Sequence, residues 1–385
     1  MPPRFLIIGA GFSGAVLAHN LSKLLEGCHI DVWEENPHVA GNCYTARDAA
    51  TGIMVHQYGP HIFNTDKKHL WDFVNQFVTL KPFHHKVKAV SKGAIFSLPV
   101  NLHTINQFFN KNFSPEEAKD FIAGKADKNI VEPDNFEEQA LKFIGPDLYK
   151  AFFYGYTKKQ WGCEPAALPA SILKRLPLRF NYDDRYYNNA YVGIPEEGYT
   201  PFVEKLLNHK FIRLTLNKKF THSDDLSEYD HIFFTGPIDA YFNYSFGRLG
   251  YRTVTFEPIY ATGDYQGTAV INYCDETVKH TRMTEHKHFA PWEQHEKTIC
   301  FREYSKETTA DDIPFYPKRL ANDKALLMKY RHEAEELGNT SFLGRLATYR
   351  YMDMHHVIDE ALNFSEKFAK AFSAKEMLPV FPNSE

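Results

Sequence analysis

A chain of 385 residues with 24% charged and 43% hydrophobic side chains is long enough for two or three domains and has the balance of an ordinary globular protein. Its net charge of -4 argues against nucleic-acid binding, which shows as a basic surplus, and leaves phosphate recognition to local basic clusters. Five cysteines, odd in number and unpatterned, point to neither a disulfide framework nor a zinc site, and no apolar run approaches the roughly eighteen residues of a membrane span, so a soluble protein of the reducing cytoplasm is expected.

Along the chain, the apolar run Phe5-Leu6-Ile7-Ile8 leads into Gly9-Ala10-Gly11-Phe12-Ser13-Gly14, with Glu34 at the end of a second strand-like run. Strand, glycine turn, helix and a spaced acid together form a dinucleotide fingerprint. Glycines admit the pyrophosphate to the backbone, the helix N-terminus stabilises its charge, and the acid accepts ribose hydroxyls. The stretch from Glu35 through Ala40, Gly41 and Asn42 resembles the continuation in flavoproteins of the glutathione-reductase type, with Ala40 where a glycine normally stands, and it favours FAD over NAD. The run Tyr229 to Gly236 reads as a buried strand returning to the cofactor.

Residues 1 to about 80 alternate strand and helix signals, and 86–98 read as a hairpin around Ser91-Lys92-Gly93. Ser114-Pro115-Glu116-Glu117 starts a helix expected to stop near Gly124, a second begins at Asn135 and breaks at Gly145-Pro146, and a third runs toward Trp161. Past Pro177 short strands dominate, and a helix returns around Glu333 to Gly338. The expected fold is α/β: a discontinuous FAD-binding Rossmann-like domain (1–80, 205–245 and 310–385), a helical insert (100–178) and an antiparallel β-sheet substrate domain (81–99, 179–204 and 246–309). Aromatic residues make up 15% of the chain and cluster at Tyr149 to Tyr156 and at Tyr182 to Tyr187, a density suited to a lined cleft. In the histidine-rich run His280 to His288, His286 and His288 fall on one strand face with no further ligand group evident, so no metal is expected.

Five segments carry a more specific signal: Tyr58 to Phe63, Gly155 to Gly162, Leu173 to Pro177, Thr281 to Lys287 and Gly344 to Met354. Taken in order they resemble the bacterial UDP-galactopyranose mutase family over nearly the whole chain. The resemblance implies an isomerase of no net redox change, interconverting UDP-galactopyranose and UDP-galactofuranose. N5 of reduced FAD attacks the anomeric carbon and UDP leaves; NAD(P)H is a possible reductant. It assigns the diphosphate to Arg175 and Arg282, with Tyr186, Tyr316 and Tyr351 as hydrogen-bond donors, and the uridine and sugar wall to Phe153, Tyr156, Thr157 and Trp161. His61 falls beside the flavin, and Arg345, Tyr351, Asp353 and Met354 at the corner approaching the flavin and its pyrophosphate, with Arg252 and Glu303 as further substrate-side candidates. It also implies a homodimer and a product destined for surface polysaccharide; because reactive intermediates must be shielded from water, a loop at 173–177 is expected to close over substrate.

Two positions depart from the family pattern. Asn64 stands where a second histidine is common, and His85 where an asparagine contacts the sugar, so the same ring contraction on dTDP-fucopyranose is an open alternative. Outside this class, an amine-oxidase-type flavoenzyme would share the nucleotide-binding architecture and requires no arginine pair for a diphosphate; a non-catalytic nucleotide-sugar binding module is a third reading.

Overall fold

In a computed structural model that describes residues 2–170, 172 and 178–382, the opening apolar run is the central strand of a five-stranded parallel sheet. This strand, β1 (Arg4–Ile8), lies between β2 (His29–Trp33) and β11 (His231–Phe234), with β10 (Ile212–Thr215) and β17 (Thr340–Phe342) outside them. From Phe5 to Ile8 β1 is apolar because both faces are covered. Phe5 and Ile7 pack against α1 (Phe12–Leu24), α2 (Lys68–Asn75), α7 (Thr200–Leu207) and α11 (Met354–Ala374); Leu6 and Ile8 pack toward α8 (Ile238–Tyr241) and α9 (Ala321–Glu335). Two small sheets flank this unit: β3 (Thr45–Arg47) with β4 (Met54–His56), and β5 (Phe63–Thr65), β9 (Tyr191–Pro195) and β6 (Leu80–Pro82) in that order.

The larger sheet has seven strands. In spatial order these are β16 (Tyr316–Pro317), β12 (Tyr251–Thr262), β15 (Lys297–Glu307), β14 (Arg282–Glu285), β13 (Val270–Tyr273), β7 (Val87–Ser91) and β8 (Ala94–Leu98). All pairings are antiparallel except that of β13 with β7. Laterally paired residues share a sheet face. The register therefore sets Phe256, Glu303, Arg282, Asn272, Ala89 and Phe96 in one row across a single face.

At the β7–β8 end that face is covered by the helical insert: α3 (Leu102–Phe109), α4 (Pro115–Lys125) and α5 (Phe136–Leu148). Ser114 closes a capping box with Glu117, and Asn135 caps α5 by accepting from the Glu138 amide. Gly145 at φ +73° interrupts α5; the aromatic run Tyr149–Tyr154 that follows is a π-helical turn, and α6 (Gly155–Trp161) completes the third helix.

Three placements differ from the sequence expectation. Residues 200–204, assigned to the β-sheet domain, open α7 on α1 together with 205–207, because Phe202, Val203 and Leu206 belong to the core of the parallel sheet. Tyr316 and Pro317, assigned to the nucleotide-binding domain, extend the seven-stranded sheet beside β12. His286 and His288 share no strand face: they lie in a 3-10 turn (His286–Phe289) that follows β14, and His286 is fully buried against His56 and Phe301.

Candidate functional site

The glycine turn between β1 and α1 contains three glycines with separate physical reasons. Gly9 has φ +104°, and a Cβ there would lie 2.2 Å from Thr235 Oγ1; at Gly14 a Cβ would lie 2.0 Å from the Gly9 carbonyl oxygen. Both are required by the protein's own packing. Gly11 is different: it has φ -74°, and the nearest atom to an added Cβ is Gly41 Cα at 4.0 Å. No described residue forbids a side chain at Gly11, so its open space is what a group lying across the turn requires.

The surroundings suit such a group. Gly11 caps α1 without a side-chain hydrogen bond, leaving helix N–H groups for an anion. Glu34 accepts from the Ala10 amide at 2.8 Å through Oε2, and from the Asn36 amide and Nδ2 at 2.9 and 2.7 Å through Oε1, which orients the carboxylate and leaves Oε2 a lone pair for a ribose hydroxyl. Ala40 adopts φ +74°, the conformation for which the missing glycine is suited, and starts the turn Gly41–Cys43 containing Asn42. Phe12 packs on Tyr199 and Phe202, and Gly344 brings the start of α10 (Gly344–Ala347) onto Ser13, where a Cβ would meet Oγ at 2.2 Å.

The centre of the seven-stranded sheet bears an ion pair. Arg282 Nε and Nη2 donate to the two Glu303 oxygens, each at 2.8 Å, with the glutamate fully buried and the arginine partly open. Burial, the largest single influence, would lower the guanidinium pKa; the Glu303 carboxylate, Tyr156 and Tyr316 together outweigh it, and the net direction is upward. Burial pushes the Tyr316 phenol up to about 12 and raises Tyr156 as well, so both stay protonated as hydrogen-bond donors. Tyr316 stacks with Tyr351 at 6.1 Å and meets Trp161 at 6.3 Å, while the Arg345 guanidinium lies over both tyrosines at 5.4 and 4.9 Å and donates to the Phe315 carbonyl.

His61 follows the Gly59-Pro60 turn. Its Nδ1–H donates to the Gly59 carbonyl at 2.8 Å, and its amide donates to His56 Nδ1 at 3.3 Å. Burial lowers its pKa to about 4, with Arg345 and Arg282 contributing, so it is a neutral imidazole with the proton on Nδ1. His85 is pushed to about 3 by burial and by Arg282; it stacks on Phe83, Tyr187 and Phe289 with Tyr186 at its edge, and the Tyr186 amide donates to its carbonyl. Asn64 is buried in β5 and donates to the Ile62 carbonyl at 3.1 Å.

The fold thus gathers His61, His85, Tyr156, Tyr186, Arg282, Glu303, Tyr316, Arg345 and Tyr351 around one region, with Asp353 at the N-cap of α11 before Met354; Phe153 and Thr157 are buried. Arg252 stands apart: its donors are committed to the Gln160 and Lys159 carbonyls, Ser305 and Glu307. Arg175 and the segment 173–177 lie outside the described residues. Sequence reasoning placed Tyr187 in the cleft-suited aromatic run without singling it out as a site residue; burial raises its phenol pKa, and its field includes Tyr186, Asp353, Tyr351 and Arg282. Sequence reasoning missed the carboxylate partners of His288. Asp264, Glu285 and His288 bring ligand atoms within 4.8 Å of one another, yet Glu285 already accepts from three amides and Thr298, and Lys287 pairs with Asp264.

A family model described as UDP-galactopyranose mutase matches residues 151–351, and one described as an NAD(P)-binding Rossmann-like domain matches residues 7–77. The chain is 51% identical over 378 residues to a probable UDP-galactopyranose mutase of Klebsiella pneumoniae, covering 98% of each protein. It is 50% identical over 373 residues to a dTDP-fucopyranose mutase of Escherichia coli, covering 95% of this chain and 98% of that one. A crystal structure of a reduced UDP-galactopyranose mutase has the same fold, with a TM-score of 0.74 at 14% identity over 97% of this chain and 96% of the other.

Proposed function

The chain belongs to the UDP-galactopyranose mutase family, and on that premise we propose that it is an isomerase converting UDP-galactopyranose to UDP-galactofuranose and back, with reduced FAD as its cofactor. The observation that carries the reading is the Arg282–Glu303 pair in the middle of the seven-stranded sheet, with the protonated Tyr156 and Tyr316 in its field. When bound, reduced FAD supplies the nucleophile at N5. Gly9, Gly11, Phe12, Ser13, Gly14, Glu34 and Asn42 would hold its adenosine and pyrophosphate, with Arg345, Tyr351, Asp353 and Met354 nearer the ring.

The chain's own part follows from charge. As the bond from the anomeric carbon to the diphosphate breaks, its electron pair passes to a phosphate oxygen, and preorganised donors facing that oxygen lower the barrier. Arg282 holds a fixed positive charge there, and the Tyr156, Tyr186, Tyr316 and Tyr351 hydroxyls are donors. Arg175 is proposed as the second cation. Because Glu303 already neutralises Arg282, a dianionic leaving group calls for that second charge. Neutral His61 offers Nε2 as an acceptor beside the flavin. Phe153, Thr157 and Trp161 shape the wall for the base and sugar. Arg252 and Glu303 act from behind, holding α6 and Arg282.

Incubating the dithionite-reduced protein with UDP-galactopyranose and, separately, with dTDP-fucopyranose, and resolving the products by chromatography, tests class and substrate together. Absence of a furanose product from either, with FAD bound and reduced, would falsify the reading. The dTDP-fucopyranose arm is included because the relative named for that sugar is nearly as similar and because His85 is buried against Tyr186 and Tyr187. NAD(P)H as reductant, a homodimer, a cytoplasmic location and a product used in surface polysaccharide complete the proposal. No helix among the described residues is long and apolar enough to cross a membrane.

A further inference from the structure

Lys159 lies on α6 between Tyr156 and Trp161, and its ammonium occupies a cage of main-chain carbonyls. Nζ donates toward the carbonyl oxygens of Tyr273, Asp275, Val278 and His280, at 2.7, 2.9, 2.8 and 3.2 Å. An ammonium has three hydrogens, so four oxygens at these distances use all of its donor capacity. Burial lowers its pKa, countered by Cys274, Asp275 and Glu276. This is the coordination a bare monovalent cation would accept.

The cage is formed by the segment joining β13 to β14, and its last carbonyl, that of His280, is two residues before Arg282. The helix backbone meets the same segment: a Cβ at Gly155 would lie 2.3 Å from the Cys274 carbonyl oxygen. On the far side, Ser305 Oγ donates to the Gln160 carbonyl at 2.6 Å and Arg252 to the carbonyls of Gln160 and Lys159. The lysine therefore ties the helix carrying Tyr156, Thr157 and Trp161 to the strand carrying Arg282.

We propose that Lys159 is a positioning residue that sets the spacing between the base-binding wall of α6 and the diphosphate-binding Arg282, through a carbonyl cage able to take a small monovalent cation in place of the ammonium. The inference rests on the mutase reading for what that spacing serves. In FAD-loaded Lys159→Ala, the Kd for UDP and the KM for the sugar nucleotide should rise tenfold or more, while kcat at saturation stays within threefold and FAD content is unchanged. Methylammonium should restore most of the UDP affinity; tetramethylammonium, too large for the cage, should not. A folded variant whose UDP affinity is within twofold of the parent, or whose loss methylammonium leaves untouched, overturns the proposal. Should Lys159→Ala fail to fold, amide hydrogen exchange on the unaltered holoenzyme decides. UDP should slow exchange over 156–161 and 273–282 together, and slowing confined to one of the two overturns the coupling. A parent that binds UDP but forms no furanose removes the mutase reading while leaving the clamp testable by affinity alone.

Discussion

At the scale of single residues, Gly11 and Arg282 separate folding from ligand handling. Since an added methyl at Gly11 meets nothing closer than 4.0 Å, Gly11→Ala should leave the apoprotein's stability within about 0.5 kcal/mol of the parent and yet abolish retention of bound FAD. Absorbance of the purified variant checks this, and a fully yellow Gly11→Ala sinks the cradle assignment. Arg282→Met leaves Glu303 buried without its partner and should cost about 3 to 5 kcal/mol by urea unfolding. Adding Glu303→Gln removes the stranded charge, so the double variant should recover most of that stability while still failing to bind UDP. Recovery of UDP binding in the double variant would place the diphosphate elsewhere. The glycine turn could be read from sequence because its signal is local, whereas the Arg282–Glu303 pair joins residues brought opposite each other by the register of two long strands. Lys159 escaped notice for a further reason: its partners are main-chain carbonyls, which no residue pattern marks.

Among elements, the local ones were legible. The hairpin of β7 and β8, the capping box at Ser114 and the N-cap at Asn135 follow from turn and cap chemistry within a few residues. The parallel pairing of β13 with β7, nearly two hundred residues apart in sequence, and the docking of α7 on α1 depend on packing that no short window contains. Gly145 lies at the boundary between the two kinds. Its break of α5 was readable, but the π-helical turn it leads into was not. At φ +73°, with a Cβ 2.6 Å from the Lys125 carbonyl oxygen, Gly145→Ala should cost about 2 kcal/mol or more and shift the aromatic run Tyr149–Tyr154. Urea unfolding and UDP affinity would both register it; an unchanged midpoint would mean the kink is not needed.

For the whole molecule, acid should be the weak side. Burial lowers the pKa of His19 and His61 to about 4 and of His85, His231 and His286 to about 3, against 6.5 unfolded. The unfolded chain therefore takes up protons that the folded one refuses. This stability is fully present above pH 6.5 and is lost as pH falls from there toward the folded values, each imidazole contributing up to about 1.4 kcal/mol per pH unit. Urea midpoints measured at pH 7.5, 6.0 and 5.0 should fall steeply in that order, and a flat series would contradict the burial of neutral histidines. The joining of α6 to the strand of Arg282 has a different kind of consequence. On the proposed reading, the nucleotide end of a ligand would meet a jaw hung from the segment joining β13 to β14, while the hexose end would meet side chains from other segments, His85 and Asn64 among them. Diversification can then work on the sugar by point replacement without disturbing the handle by which every such ligand is held.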